Sequence, residues 1–225
     1  MRQLFLRLAV VATLLCFSFL FNACSEATPP AATPTPTPVA VATEKPAPSI
    51  APLASTDEVA VVTTALGKFT IRFFPEVAPK HVEHFKKLAR ERFFNGLGFH
   101  RVIPSRLIQG GDPTTRGNDR SQWGKGEPGQ ETVPAEFSTL PFDRGTLGAA
   151  RKGGDVNSAT SQFFVCLDRN PSWDGQYTVF GQVISGLDVV EKISQVPSNQ
   201  RQNGEVMDKV VINNVAIVPA GSAQK

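Results

Sequence analysis

The chain has 225 residues, 41% of them hydrophobic and 19% charged, an ordinary globular balance that leaves room for one large domain or two small ones. A formal charge of +3, with no block of like charges, gives no support for nucleic acid or any other polyanion as partner. Sixteen Phe against one Tyr point to a core built largely on phenylalanine.

The first residues read as an export signal. Arg2 and Arg7 supply a positive start, Leu8 to Phe21 is nearly continuous apolar sequence, and Ala23 stands directly before Cys24. The segment resembles a lipobox, although Phe21 and Asn22 depart from its usual Leu followed by a small residue. The resemblance implies a signal over 1–23 and lipid attachment at Cys24. An uncleaved membrane anchor is the alternative, since about 20 apolar residues span a bilayer. Either way the domain that follows is expected to be exported and held on the periplasmic or extracytoplasmic side. Cys16 and Cys24 fall in or beside the signal. Cys166 is left alone in the folded part, where it reads as a small buried hydrophobe.

Residues 24–56 read as a tether. Eight prolines fall between Pro29 and Pro52, interleaved with Ala and Thr, and proline fixes φ and removes a backbone donor. Extended polyproline II is expected there, a semi-rigid spacer. From Asp57 the pattern changes. Val59–Thr63 and Phe69–Phe73 alternate about Gly67, which predicts a β-hairpin. Pro79 suits the first turn of a helix, and Val82, Phe85, Leu88 and Ala89 form one apolar stripe, closed at Asn95-Gly96. A strand region is expected over 98–109 and a polar, Gly-rich loop over 110–131. Strands follow around Thr146–Ala150, Ser161–Leu167 and Tyr177–Ile184. Leu187, Val190 and Ile193 mark a second helix, and Lys209–Val218 a last strand. Many short strands with two helices predict a sandwich or closed barrel over 57–219, with a tail at 220–225.

Three segments carry a resemblance to the cyclophilin-type peptidyl-prolyl isomerases. Phe99-His100-Arg101 runs on to Gln109-Gly110-Gly111-Asp112. Ser161-Gln162-Phe163-Phe164-Val165 follows, and then Asp174-Gly175-Gln176-Tyr177-Thr178-Val179-Phe180-Gly181. They stand in family order, and the resemblance spans about Val59 to Val218. It implies a closed eight-stranded antiparallel β-barrel capped by two α-helices, and cis–trans isomerisation of X–Pro bonds without cofactor, metal or covalent intermediate. It further implies Arg101 as catalytic arginine, Gln109 as an orienting amide, and Phe164, Leu107 and Trp173 in a proline pocket. Ala150, Arg151 and Tyr177 are expected along a peptide groove, with Phe99, His100 and Gln162 also against substrate.

The chemistry follows from the residues. Amide resonance sets a barrier of about 18–20 kcal/mol to X–Pro rotation. In the twisted transition state that resonance is lost, and the prolyl nitrogen becomes able to accept a hydrogen bond. A fixed donor that favours the twisted amide over the planar one accelerates the step. Arg101, always charged and presenting a rigid fork of donors, suits that role; an arbitrary surface arginine in an ion pair is the bland alternative. On Ser161–Leu167, Gln162, Phe164 and Cys166 share one face, while Phe163, Val165 and Leu167 share the other. An amide beside an aromatic suits peptide binding, though pattern alone equally allows Phe164 to be core.

Several positions depart from the family's usual residues: Arg106 for Phe, Trp173 for Leu, Ser172 for Trp or His, Tyr177 for His and Arg151 for Asn. A charge in an apolar slot is costly. Alternation sets Arg106 opposite Leu107 and Gln109, pointing away or along a rim, with Trp173 supplying apolar area. His81 and His84 lack a third metal ligand and read as helix face. The expected partners are Pro-containing peptides, unfolded exported proteins and a membrane reached through the lipid. The expected state is a monomer. A cyclophilin-fold chaperone or binding module with little turnover is the competing reading.

Overall fold

The computed structural model describes residues 52–200 and 203–223. The export signal, Cys24 and nearly all of the tether lie outside the described residues.

Two valine- and phenylalanine-rich strands open the domain, β1 (Glu58–Thr64) and β2 (Gly67–Phe73), paired antiparallel about a turn in which Gly67 takes φ +132°. Helix α1 (Pro79–Arg90) follows, with Pro79 in its first turn and His81, Val82, Phe85 and Ala89 buried. It ends earlier than Asn95-Gly96. Arg92 adopts φ 56°, its N–H bonds the Ala89 carbonyl, and Phe93 N–H reaches back to Leu88. This is a Schellman stop with arginine where glycine is usual, so no sequence signal marked it.

The region 98–109 is two strands, β3 (Gly98–Ile103) and β4 (Leu107–Gly110), turned through Ser105 at φ 57°. Then come β5 (Thr146–Ala149), β6 (Phe163–Cys166), β7 (Val179–Ser185), α2 (Leu187–Ser194), β8 (Ser198–Asn199) and β9 (Glu205–Pro219). The strand order is β1-β2-β7-β5-β6-β4-β3-β9, and β9 pairs again with β1. Eight antiparallel strands thus close into a barrel, and the two-residue β8 is appended to β9. Closure removes exposed edges from the sheet.

The barrel interior is the phenylalanine core that composition foretold. Phe85 and Phe94 pack 4.7 Å apart between centroids, and Phe163 meets Phe85, Phe94 and Phe99 edge-on. The domain ends lie slightly beyond 57 and 219, because Ala220 N–H bonds the Asp57 carbonyl (2.8 Å) and Gly221 N–H that of Ser55 (2.9 Å). Cys166 is buried, and desolvation pushes its thiol up to about 12, which leaves it inert at neutral pH.

Candidate active site

The site grows from a fault in one strand. Strict alternation along β3 would put Arg101 on the same face as Phe99, inside the barrel. The pairing of β3 with β9 instead slips between Phe99 and Arg101. Phe99 and Val102, three apart, therefore both point into the core at 0% exposure, and Arg101 turns outward. Outward-facing Arg101 then pairs with Gln109 on β4, Gln109 with Phe164 on β6, and Phe164 with Gly148 on β5. One row of residues crosses four strands of the barrel wall.

The polar half of that row is a chain of hydrogen bonds. Arg101 Nε donates to the Asn203 carbonyl (2.8 Å) and Nη2 to Asn203 Oδ1 (2.7 Å). Its Nη1 donates to Gln109 Oε1 (3.1 Å), Gln109 Nε2 to Gln162 Oε1 (3.0 Å), and Gln162 Nε2 to the Gly124 carbonyl (3.1 Å). A guanidinium carries five N–H groups, so these contacts fix its plane and leave two N–H groups for another acceptor. Partial burial pulls the Arg101 pKa below the ordinary arginine value; Tyr177 opposes this and the charge of Arg106 adds to it. An arginine stays ionised through such a shift, and its charge is less screened than on an open surface.

The apolar half is a cluster of rings on the outer side of β5 and β6. Phe164 stacks on Phe142 at 5.6 Å and is met edge-on by Trp173 (5.2 Å) and Tyr177 (5.6 Å). The stack needs a glycine beneath it: a Cβ on Gly148 would lie 2.3 Å from Phe164 Cζ and 2.7 Å from Phe142 Cε1. Trp173 packs edge-on against Phe164, which is 5% exposed, so the solvent-facing surface of the cluster is formed by the half-buried Trp173 and Tyr177. Arg106 does not enter the cluster. Its guanidinium lies over the Trp173 ring at 5.7 Å, and Trp173 packs partly buried against the cluster. Arg151 lies over Tyr177 at 4.8 Å and donates to the Gln176 and Lys152 carbonyls. Ala150 stands between, its N–H on the Gln162 carbonyl (3.0 Å). Beside Gln109 and Gln162 opens a cavity of about 130 Å³, lined also by Lys125, Glu127, Ala150, Arg151 and Lys152.

Three residues expected against substrate are buried. Phe99 is wholly inside the barrel, because the slip in β3 leaves it on the core face. His100, at 4% exposure, faces a separate cavity with Arg120, Trp123 and Met207, and burial pulls its pKa down to about 4, so it is neutral. Leu107, opposite Cys166 and on the same face of β4 as Gln109, is 1% exposed.

Sequence reasoning also missed contributors. Asn203, Phe142 and Gly148 carry no local signal. Asp112, quoted only as the end of a motif, is wholly buried. Its carboxylate accepts from Thr114 N–H (3.0 Å), Thr114 Oγ1 (2.8 Å), Gly126 N–H (3.3 Å) and Gly124 N–H, and so ties the loop after β4 to the site. Among the described residues no group of His, Cys, Asp or Glu could hold a metal ion.

On the outer wall of the closed barrel a guanidinium and two amides thus stand beside an aromatic platform. Residues 59–217 match the family described as cyclophilin type peptidyl-prolyl cis-trans isomerase/CLD. A probable peptidyl-prolyl cis-trans isomerase of Brucella abortus is 42% identical over 164 residues, covering 70% of this chain and 82% of that protein. The mouse peptidylprolyl isomerase domain and WD repeat-containing protein 1 is 41% identical over 157 residues, covering 68% of this chain and 23% of that one. A Cryptosporidium parvum cyclophilin, crystallised in the presence of the dipeptide Ala-Pro, superposes with TM-score 0.63 at 27% identity over 71% of this chain and 98% of its own. The chain belongs to the cyclophilin-type peptidyl-prolyl cis–trans isomerases.

Proposed function

We propose that this isomerase acts on Pro-containing segments of unfolded exported proteins, with Arg101 as the group that favours the twisted amide. The observation that carries the reading is the pairing of Arg101 with Gln109 across β3 and β4, one strand from Phe164. Gln109 holds one Nη of the guanidinium and Asn203 holds the other edge, so the remaining N–H groups point from a fixed plane. The planar substrate offers them its carbonyl. As the amide twists, the prolyl nitrogen regains its lone pair and becomes a second acceptor, so binding strengthens along the rotation. Trp173 and Tyr177 receive the pyrrolidine ring, and the Gln109–Gln162 amides align the peptide backbone.

A charge-assisted hydrogen bond contributes about 1.5–3 kcal/mol, and each tenfold in rate takes about 1.4 kcal/mol. Arg101 therefore accounts for roughly one or two decades, and the water-poor aromatic wall beside it strengthens the same contact further. The decisive experiment compares wild type with Arg101→Ala on a short X–Pro peptide. Turnover is expected to fall at least tenfold with the circular dichroism spectrum unchanged; equal rates would remove Arg101 from the mechanism.

The N-terminal pattern supports export and lipid attachment at Cys24, and the proline-rich stretch would hold the domain clear of the membrane. Radiolabelled palmitate should enter the wild type expressed in a bacterial host and fail to enter Cys24→Ser.

A further inference from the structure

The aromatic platform is flanked by more positive charge than one catalytic arginine explains. Trp173 and Tyr177, both edge-on to Phe164, each carry a guanidinium on a ring face: Arg106 at 5.7 Å and Arg151 at 4.8 Å. Neither charge is compensated by an acid. Arg151 donates only to carbonyl oxygens, Gln176 and Lys152, and the Arg106 side chain makes no hydrogen bond among the described residues. The carboxylates adjoining the platform in sequence are already engaged: Asp143 (3.0 Å) and Asp174 both pair with Arg169. Next to Gln109 and Gln162, the adjoining cavity sets Lys125, Arg151 and Lys152 against the single acid Glu127. The Arg106 guanidinium rests on a ring face with its N–H edges free, and such edges match a carboxylate bidentately, whereas Arg151, whose Nε, Nη1 and Nη2 already donate to carbonyls, adds mainly positive charge.

We propose that this groove selects X–Pro segments carrying a carboxylate side chain within two residues of the proline. Arg106 is the specificity-determining residue and Arg151 a second source of positive charge. The proposal rests on the isomerase reading of the same groove. Because both arginines lie at the rim, the preference is modest and salt-sensitive, as for other exposed ion pairs.

The test uses end-capped X–Pro peptides identical except for one Glu, Gln or Lys, moved from two residues before the proline to two after it. Exchange rates are read by NMR at low ionic strength. At one position kcat/KM should follow Glu over Gln over Lys, by about three- to fivefold per step. The ratio should shrink in high salt, fall to about one in Arg106→Gln, and recover in part in Arg106→Lys. A Glu-to-Gln ratio of one at every position, or a ratio untouched by Arg106→Gln, overturns the proposal while leaving the isomerase intact. Failure to turn over even the Gln peptides instead overturns the isomerase reading and the proposal with it.

Discussion

Phe163 and Phe164 are neighbours in the chain, 1% and 5% exposed, and belong to different parts of the machine. Phe163 points into the barrel, where Phe85, Phe94 and Phe99 meet it edge-on. Phe164 points outward, into a smaller cluster of Phe142, Trp173 and Tyr177 in register with Gln109 and Arg101. Burial is nearly equal, so burial does not separate core from site. The neighbours do: the inner ring packs edge-on among three other phenylalanines, the outer one lies in a row that ends in an ordered cation.

The largest expected effect tests the inner face. Phe163→Ala should cost about 3–5 kcal/mol in urea unfolding, the usual range for truncating a core Phe. A loss under about 1 kcal/mol would mean that the interior relaxes around the gap and the two faces are not distinct in packing.

Acid provides the next contrast. His100 sits behind Arg101 with a pKa pulled from 6.5 to about 4 by burial, so the folded state resists its protonation and the unfolded chain does not. Its contribution is complete above about pH 6.5 and is lost as pH falls from there towards 4, on the order of 3 kcal/mol. Burial lowers His81 and His84 likewise, so both add in the same direction. Urea midpoints measured across this window should fall steeply for wild type and more gently for His100→Gln. Parallel profiles would remove His100 as the cause.

Gly148→Ala probes the outer stack directly, since the added methyl meets Phe164 and Phe142. A loss of about 1–3 kcal/mol is expected, with kcat/KM reduced because Phe164 must shift. Unchanged turnover would separate the stack from the chemistry. The smallest effect belongs to Asn203→Ala, which removes the Oδ1 acceptor of Arg101 Nη2 while the residue-203 carbonyl still holds Nε; kcat should fall a few-fold with KM the less affected, and about 1 kcal/mol of stability should be lost because residue 203 sits at φ 61°.

Much of this was legible in the chain. The valine and phenylalanine alternation of β1 and β2, the stripe of α1 and the three motifs lead to a closed barrel, and period two along 161–167 separates Phe163 from Phe164. Arg106 could be read as a misfit for an apolar slot. The platform over which it lies could not, because Trp173 is 67 positions further along the chain.

Local sequence thus determined the element types, the motif residues and the two faces of β6, because side-chain period and turn chemistry are properties of neighbouring residues. Tertiary structure alone decided that Arg101 faces outward, since the slip at His100 is set by pairing with β9. It also decided that Arg101 is held by Asn203, 102 residues away, and that Phe99 and His100 are withdrawn from the groove. Strand register and barrel closure are long-range choices, made where distant segments find the packing and hydrogen bonds that neither holds by itself.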